Sequence, residues 1–273
     1  MSPRSYNPLY LEKRFRRLVE FASFVRPSPE VHKTLRDQVH AYIGPTNRLG
    51  IRNGKTATLG TYRPVGTTCP DSCPYLNSGC LAQRSKVGMH QSKSSPEVDR
   101  ALASAAVGIL YAMVTRDPWR ELVSGDAGKT WEDAREYHEG LILMLSIAKE
   151  HPNAPRWFGW RYTHLPRTPE GLGIVGRLKS LGLFTRWSDY AGPGGALVKP
   201  HDDQTIKALK AQGLKPFRCL EQTTEHENCM SCRACWERPS HTIIFKAQGN
   251  AYTKPTKERP WTIYDLAPVE VKA

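Results

Sequence analysis

The sequence predicts an α/β fold, built as a partial or distorted (β/α) barrel with an N-terminal helical appendage. From residue 57 onward, short apolar runs alternate with longer amphipathic segments, which is typical of parallel strands joined by crossover helices. Glycines interrupt the later runs. The chain of 273 residues is long enough to enclose one large core. An open α/β sheet is the alternative arrangement of the same elements.

Two amphipathic helices are predicted ahead of the alternating region. Over residues 9–26, apolar side chains recur on one face while lysine and arginine occupy the rest. Pro27 and Pro29 interrupt this pattern, because proline cannot continue a helix interior. A second helical pattern then runs from Val31 until Gly44 ends it.

The alternation places the remaining elements in order. The predicted strands are residues 57–63, 119–124, 157–163, 184–188, 195–199, 215–219 and 242–247. The predicted helices between them are residues 95–115, 131–150, 169–181 and 202–212. Ser95 and Pro96 favour a helix start at the first of these, since a hydroxyl caps backbone N–H groups and proline fits the first turn.

Several polar residues follow the predicted strands directly. Ligands of parallel sheets and barrels bind where the carboxyl ends of the strands meet, so these residues are site candidates. Asp126 is a candidate catalytic or ligand-orienting carboxylate, and a helix-start or turn aspartate is its ordinary alternative. His164 is a candidate base or ligand, or else a hydrogen-bonded structural histidine. Asp189 is a catalytic candidate on the same grounds, with a surface salt bridge as its alternative.

The charge of the chain is concentrated near its beginning. The formal net charge is +13, and the first 56 residues contain 11 Lys and Arg against 4 Asp and Glu, which contributes +7. Such an excess favours polyanions, because neutralising phosphates releases counterions. The expected partner is a nucleic acid or nucleotide bound through this basic region; a basic, solvated surface without a dedicated ligand is the alternative.

Neither a membrane segment nor a targeting leader is recognised in the sequence. No run reaches the roughly eighteen consecutive apolar residues typical of a spanning helix. The first residues do not combine a basic region with an apolar stretch. We therefore expect a cytoplasmic protein with no membrane partner.

A first group of cysteines, Cys69, Cys73 and Cys80, follows the first predicted strand of the main region. The three thiols lie within twelve residues and are separated by prolines, an asparagine and a glycine, as in a tight loop. Thiolates bind soft or borderline metals, and iron-sulfur clusters are held mainly by cysteine. Three ligands are one fewer than a closed tetrahedral site requires. A cluster held here would leave one iron open to a substrate or cofactor.

A second group contains Cys219, Cys229, Cys232 and Cys235. Its C-x2-C-x2-C run resembles ferredoxin-type cluster ligation, and Cys219 completes a set of four. Zinc is the alternative, because four thiolates, or three thiolates and one imidazole, satisfy its tetrahedral preference. The imidazole would come from His226 or His241. The spacing leaves an iron-sulfur cluster and zinc both open at this site.

Disulfides are the competing explanation for the seven cysteines. They require an oxidising compartment, and pairing would leave one cysteine over. Single buried cysteines are common in cores, but closely spaced sets with proline and glycine between them are not core spacing. Metal binding is therefore the expected use of both groups.

Three motifs, taken in order, resemble those of a large group of bacteriophage and prophage proteins. They are Thr68-Cys69-Pro70 through Gly79-Cys80-Leu81-Ala82, then Leu122-Val123-Ser124-Gly125-Asp126, then the segment from Cys229 to Cys235. The resemblance covers roughly residues 57–247 and depends on the order of the motifs. It implies a phage setting and, for a phage-encoded chain, the cytoplasm of a bacterial host as the expected location.

That group is in turn similar to the radical S-adenosylmethionine fold, a partial (β/α) barrel whose first loop holds a [4Fe-4S] cluster through three cysteines. The resemblance implies that Cys69, Cys73 and Cys80 hold such a cluster. It also implies that Ser124, Gly125 and Asp126 lie near the methionine moiety of S-adenosylmethionine or near the substrate. The spacing here is C-x3-C-x6-C where the superfamily has C-x3-C-x2-C, and Leu81 replaces an aromatic residue.

The function implied is a radical-type enzyme acting on a nucleotide or nucleic acid, supplied with electrons by a separate donor. Two alternatives remain: a metal-stabilised nucleic-acid-binding protein without catalysis, and a zinc-containing base-exchange enzyme with Asp126 and Asp189 as its carboxylates. The chain then divides into a basic helical extension (1–56), a (β/α) metal-binding domain (57–248) and a C-terminal tail (249–273).

Overall fold

One eight-stranded sheet organises the described part of the computed structural model, which comprises residues 7–50, 57–71, 73, 89–90, 92–199, 201–223 and 227–246. The strands are β1 (Leu49–Gly50), β2 (Gly60–Tyr62), β3 (Trp119–Ser124), β4 (Gly159–Thr163), β5 (Leu183–Ser188), β6 (Gly195–Lys199), β7 (Pro216–Arg218) and β8 (Thr242–Lys246). The helices are α1 (Pro8–Phe24), α2 (Val31–Tyr42), α3 (Val98–Thr115), α4 (Trp131–Glu150), α5 (Pro169–Ser180), α6 (Asp203–Ala211), α7 (Cys229–Cys232) and α8 (Ala234–Glu237). The predicted strands and crossover helices are confirmed to within a few residues, whereas β1, α7 and α8 were not predicted.

The strands follow one another in space almost as they do in sequence. Their order is β1-β2-β3-β4-β5-β6-β8-β7. Only β1 is antiparallel to its neighbour, and the other pairs are parallel. The mixed α/β class is therefore confirmed, with a mostly parallel sheet flanked by helices.

The connection from β5 to β6 contains no helix. Parallel neighbours normally need a crossover of a dozen or more residues to return to the start of the first strand. Here β6 begins where β5 ends, since Trp187 pairs with Gly195 and Ser188 with Ala196. Gly194 lies in the left-handed region at φ +75°, which lets the short loop turn. The chain thus steps along the sheet without crossing it.

One face of the sheet is covered by the long helices. Side chains alternate between the faces along a strand, so Leu183 and Trp187 of β5 point the same way. Both belong to a core cluster with buried residues of α3, α4 and α5. Leu197 of β6 and Ile244 of β8 pack with Leu209 of α6. The helices therefore cover this face of the sheet with their apolar sides.

The opposite face is covered by the C-terminal cysteine segment. The contacting residues are Trp160, Phe184, Ala196 and Ile243 on the sheet, and Cys219, Ala234, Cys235 and Trp236 on the segment. The indole rings of Trp160 and Trp236 lie 4.5 Å apart between centroids at an interplanar angle of 31°. Aromatic pairs in this geometry add to the free energy gained by burying their area.

The helices α1 and α2 pack into the same core as α3 and α4. Asn7 caps the start of helix α1: its side chain accepts hydrogen bonds from Leu9 N and Tyr10 N, and Pro8 follows in the first turn. The residues they bury are Leu11, Phe15, Leu18, Val19 and Ala22 in α1, and Val31, Leu35 and Val39 in α2. The segment predicted as an appendage therefore shares its apolar face with the main fold. The predicted tail, 249–273, lies outside the described residues.

Helix α3 is the central core helix. By length and composition it could cross a membrane, yet 72% of its apolar stretch is buried within the protein. Every residue from Ala101 to Met113 is buried. Gly108 faces Trp119 of β3, and a Cβ atom there would lie 2.3 Å from the indole ring. The apolar composition of α3 is thus accounted for by its packing.

Candidate functional site: a cysteine, a histidine and two carboxylates at the carboxyl edge

Four loops bring chemically active side chains together at the carboxyl edge of the parallel strands. They are the loop after β2, which carries Cys69 and Cys73, and the segments after β3, β4 and β5, which carry Asp126, His164 and Asp189. The side chain of His164 contacts Cys73, Asp126 and Asp189. The three catalytic candidates predicted from strand ends therefore converge. Cys80, the third cysteine of the loop, lies outside the described residues.

The carboxylate of Asp126 is buried and surrounded by donors. One oxygen accepts from Ala127 N at 2.7 Å and Thr163 Oγ1 at 3.1 Å, with Arg161 Nη2 at 3.4 Å. The other accepts from His164 N at 2.7 Å and lies 3.3 Å from His164 Nδ1. Burial alone would raise the pKa of Asp126, but the hydrogen bonds from His164 and the charge of Arg161 hold it well below its ordinary value. Asp126 is a fully satisfied anion that positions His164.

Ser124 and Gly125 join the Asp126 segment to the cysteine loop. The Ser124 hydroxyl donates to Arg63 O at 3.0 Å, and Arg63 N donates back to Ser124 O at 3.0 Å. Gly125 has φ +72°, and a Cβ atom there would lie 2.6 Å from Thr68 Oγ1. Thr68 Oγ1 accepts from Asp126 N at 3.3 Å. These contacts fix the start of the loop that carries Cys69.

His164 is held between the two carboxylates. Its Nδ1 faces Asp126, its Nε2 lies 3.3 Å from Asp189 Oδ2, and the same Nε2 lies 3.7 Å from Cys73 Sγ. Burial lowers the pKa of His164, but the hydrogen bonds with Asp126, Asp189 and Cys73 outweigh it and raise the pKa to about 12. The site therefore contains a protonated imidazole beside a thiol.

Asp189 and Lys199 form the more open side of the site. The Asp189 side chain is 26% exposed, and its backbone is in the left-handed region at φ +56°. Burial lowers the pKa of Lys199, and the charge of Asp189 partly opposes this. These two side chains, with His164 Nε2, are the polar groups best placed to meet a ligand.

A buried ion pair, which the sequence reasoning did not single out, supports the site from the helix side. Arg161 Nε lies 3.0 Å from Glu121 Oε2, and neither side chain is exposed. The Tyr137 hydroxyl of α4 donates to Glu121. Burial raises the pKa of Glu121, against the opposing charge of Arg161. The available signal was the presence of charged residues, Arg120 and Glu121 in β3 and Arg161 in β4, inside buried strands.

The second cysteine group lies on the face of the sheet opposite the long helices. Asn228 caps α7 by accepting from Met230 N and Ser231 N, and Arg233, at φ +56°, separates α7 from α8. The C-x2-C-x2-C run thus forms two single helical turns. Tyr162 Oη lies 2.8 Å from Cys235 Sγ. Burial chiefly, together with the neighbouring thiols Cys235 and Cys232, raises the pKa of Cys219 to about 12.

The candidate metal ligands among the described residues are six cysteines and His241, while Cys80 and His226 lie outside these residues. No disulfide joins the six described cysteines. Among the residues that the structure describes, no group of three or more His, Cys, Asp or Glu side chains is arranged to hold a metal ion. His226 lies outside those residues, and the ring of His241 packs edge-on against Phe217 with 6.1 Å between centroids. The four C-terminal thiols are nonetheless close enough for their charges to interact.

Comparison of the chain with protein-family models, with curated proteins and with solved structures finds no match.

Proposed function

We propose that the chain is an iron-sulfur protein, and an enzyme of the radical S-adenosylmethionine type, whose open cluster is held by Cys69, Cys73 and Cys80. The observation that carries the proposal is the contact of Cys73 with His164, which joins the cysteine loop to Asp126 and Asp189. Enzymes of this kind need a cysteine loop and a polar cofactor site at one edge of the sheet. Zinc, or metal-free protein, is the competing outcome.

The strand order supports the partial-barrel part of the proposal. A doubly wound sheet reverses its strand order at a switch point and places helices on both faces. Here the order from β2 to β6 does not reverse, and α3, α4 and α5 share one face. We infer that β2 to β8 form a partial (β/α) barrel with the cysteine loop after its first parallel strand.

The residues present fit such a cluster by their chemistry. Cys69 and Cys73 are both buried, and soft thiolates are the usual ligands of iron-sulfur clusters. When bound, the cluster would pass one electron from an external donor to S-adenosylmethionine, whose sulfonium bond then breaks to give methionine and a 5′-deoxyadenosyl radical. The protonated His164 would balance the negative charge of the thiolates beside it.

Each neighbouring residue then has a definite task. Asp126 would hold His164, and Ser124 and Gly125 would hold the cysteine loop against Asp126 through the contacts with Arg63 and Thr68. Asp189, with its partly exposed carboxylate, would bind the amino group of S-adenosylmethionine or a substrate donor.

The decisive experiment is purification under oxygen-free conditions. We expect brown protein containing iron and acid-labile sulfide, which cleaves S-adenosylmethionine to 5′-deoxyadenosine and methionine once reduced with dithionite. Cys73→Ser should abolish both the first cluster and the cleavage. Asp71→Asn changes an exposed carboxylate of the same loop, 77% exposed, and serves as the control that should leave both intact. Colourless protein containing zinc alone would end the proposal.

The basic region supports a nucleotide or nucleic acid as the substrate class. Arg16, Lys33 and Arg36 are already paired with carboxylates. Lys13 and Arg17 are exposed on α1 and form no ion pair among the described residues. If α1 contacts phosphates, changing Lys13 or Arg17 to Gln should each lower the slope of log affinity against log salt by about one. Fluorescence anisotropy with single-stranded and duplex DNA measures this; an unchanged slope would exclude α1 from the interface.

The proposed cellular setting is the cytoplasm of a bacterial host, where thiols stay reduced and an electron donor is present. A metal-stabilised nucleic-acid-binding protein without catalysis would show the same salt dependence. It would keep this binding after Cys69, Cys73 and Cys80 are changed to Ala.

A second candidate function follows from the same contacts. A thiol, an imidazole and a carboxylate in sequence form the arrangement of a nucleophilic cysteine enzyme. The Cys73 thiolate would bond to an electrophilic carbon, the bond to the leaving group would break, and the leaving group would take its proton from His164. In metal-free protein, iodoacetamide should then alkylate Cys73 faster in the wild type than in His164→Gln. Equal rates would exclude this candidate.

A further inference from the structure

The guanidinium of Arg186 in β5 is fully buried and donates only to backbone carbonyl groups. Nε donates to Cys235 O at 2.8 Å, and Nη1 and Nη2 each donate to two further carbonyl groups. Those acceptors are Gly195 O at 3.3 Å, His241 O at 2.8 Å, Ala234 O at 2.9 Å and Arg238 O at 2.8 Å. All five N–H groups of the side chain are thus used. No ion pair to Arg186 occurs among the described residues, so its positive charge has no described counterion.

Arg120 in β3 is a second cation on the same face. It pairs with Trp160, which pairs with Phe184, so the three side chains point to the same side of the sheet. Its Nε is buried without a hydrogen-bond partner, and its guanidinium lies 5.6 Å from the centre of the Tyr162 ring. In the described part of the chain, Arg120 too forms no ion pair.

Both arginines face the C-terminal cysteines. Arg186 donates to the backbone of Cys235, and Tyr162, which lies beneath Arg120, contacts Cys235 Sγ at 2.8 Å. The charges of both arginines act on the Cys235 thiol, and that of Arg120 acts on Cys229 as well. Buried cations without anions are unfavourable, so an anion is expected on this face.

The charges of Cys219, Cys229, Cys232 and Cys235 already interact, although the four side chains are not arranged as a ligand group. We infer that these four cysteines come together around a bound metal as an anionic tetrathiolate centre, and that Arg186 and Arg120 supply its counter-charge. Four thiolates around a zinc ion, or around an oxidised four-iron cluster, leave a net charge of minus two, which two arginines balance. The inference rests on the prediction from the sequence that this second cysteine group binds a metal. It does not depend on the first loop.

Arg120 provides the cleaner test, because Arg186 also holds the backbone of the cysteine segment through its five hydrogen bonds. The test uses the full chain with Cys69, Cys73 and Cys80 changed to Ala, so that Co²⁺ can bind only to the second cysteine group. Co²⁺ is titrated in competition with a chelator, and tetrathiolate cobalt is detected by its visible absorption. Circular dichroism confirms that each variant is folded.

Arg120→Gln is expected to weaken Co²⁺ binding about 10- to 100-fold, the effect usual for losing an outer-shell partner. Arg120→Lys should recover most of the affinity, because it restores the charge. Arg177→Gln, which removes an equivalent charge from the exposed side of α5 on the other face, is the matched control and should bind as the parent does. Unchanged affinity in a folded Arg120→Gln variant would overturn the counter-charge assignment.

Different experimental results would overturn the counter-charge inference and the radical-enzyme proposal. A parent variant that binds no Co²⁺ at all would overturn this inference and leave the first-loop cluster untouched. Conversely, tight Co²⁺ binding here combined with colourless, iron-free wild-type protein would sustain this inference and remove the radical-enzyme proposal.

Discussion

The ion pair between Glu121 and Arg161 shows how much of the site depends on residues that never meet a ligand. Arg161 Nε lies 3.0 Å from Glu121 while its Nη2 lies 3.4 Å from Asp126. One guanidinium therefore lies beside two buried carboxylates, Glu121 and Asp126. Removing it would leave Glu121 without its ion-pair partner and Asp126 with His164 alone, in a place that water does not reach.

We expect Arg161→Met to lower the free energy of unfolding by about 3–5 kcal/mol, the usual cost of leaving a buried charge unpaired. Urea denaturation followed by circular dichroism measures the change. Arg177→Met on exposed α5 is the control, with an expected change within about 0.5 kcal/mol. Adding Glu121→Gln to Arg161→Met should restore part of the lost free energy of unfolding, because it removes the unpaired carboxylate. A double variant less stable than Arg161→Met alone would contradict the ion pair between Glu121 and Arg161.

His138 of α4 predicts a dependence of stability on pH. Burial is the main cause that lowers the pKa of His138, to about 3, and the charge of Arg161 adds to it. The unfolded chain therefore takes up a proton near the ordinary pKa of about 6.5, before the folded protein does. The stabilising effect of the neutral ring is complete above that pH and is lost as the pH falls toward the folded pKa.

Replacement of His138 by Phe should accordingly flatten the fall of stability between about pH 6 and pH 4 by up to one proton, or about 1.4 kcal/mol per pH unit. Urea unfolding at a series of pH values gives the slope for the variant and for the wild type. Parallel curves for the two proteins would show that folding does not lower the pKa of His138.

At the scale of elements, Gly108 in α3 and Gly173 in α5 both lie inside helices, but the space around them differs. A Cβ atom at Gly108 in α3 would lie 2.3 Å from the Trp119 ring, whereas nothing lies within 4 Å of the corresponding position at Gly173 in α5. Alanine favours a helix over glycine by about 1 kcal/mol, so any difference between the two substitutions reports on packing.

Gly108→Ala should destabilise the protein by about 1–3 kcal/mol, since overpacking at the α3–β3 contact outweighs the gain in helix propensity. Gly173→Ala, its matched partner, should stabilise by about 0.5–1 kcal/mol. Thermal unfolding of both variants decides the matter. Stabilisation by both substitutions would mean that Trp119 moves aside without cost.

The helices and strands were largely predictable from the sequence, whereas the contacts between their side chains were not. Alternation and helical periodicity are local, so β4 and α4 were placed almost to the residue. The strand-end rule also selected Asp126, His164 and Asp189. Their mutual contacts depend on loop geometry, such as the positive φ of Gly125 and Asp189, which no spacing reveals. The alternation of β4 likewise did not show that Arg161 would point toward the helices.

At the scale of the whole molecule, the sheet separates the two cysteine groups. Cys73 lies at the carboxyl edge with His164, whereas Cys235 lies on the face opposite the long helices, against Tyr162. Tyr162 and Arg161 are adjacent in β4 and point to opposite faces, so this strand contacts both environments. The helices α1 and α2 complete the core on the helix face.

Deletion of residues 1–43 should therefore unfold the domain and not simply remove a basic extension. The two helices bury eight apolar side chains, five in α1 and three in α2. Each buried Leu, Val or Phe contributes about 1.5–3 kcal/mol, and the net stability of a domain is only about 5–15 kcal/mol. Solubility and a thermal melt of the truncated chain measure this; an unchanged melting temperature would establish 1–56 as the independent appendage predicted from sequence.

The five carbonyl groups bound by Arg186 also set an order of events during synthesis. Four of them lie in residues 234–241, about fifty residues after Arg186 in the chain. While those residues are still inside the ribosome, β5 can pair with β4 but the guanidinium must remain hydrated. We expect the C-terminal cysteine segment to gain its structure last, and pulsed hydrogen exchange during refolding should show late protection of Arg233 to Arg238. A nascent chain paused before residue 234 would then expose one bare face of the sheet, which gives chaperones a defined surface to bind.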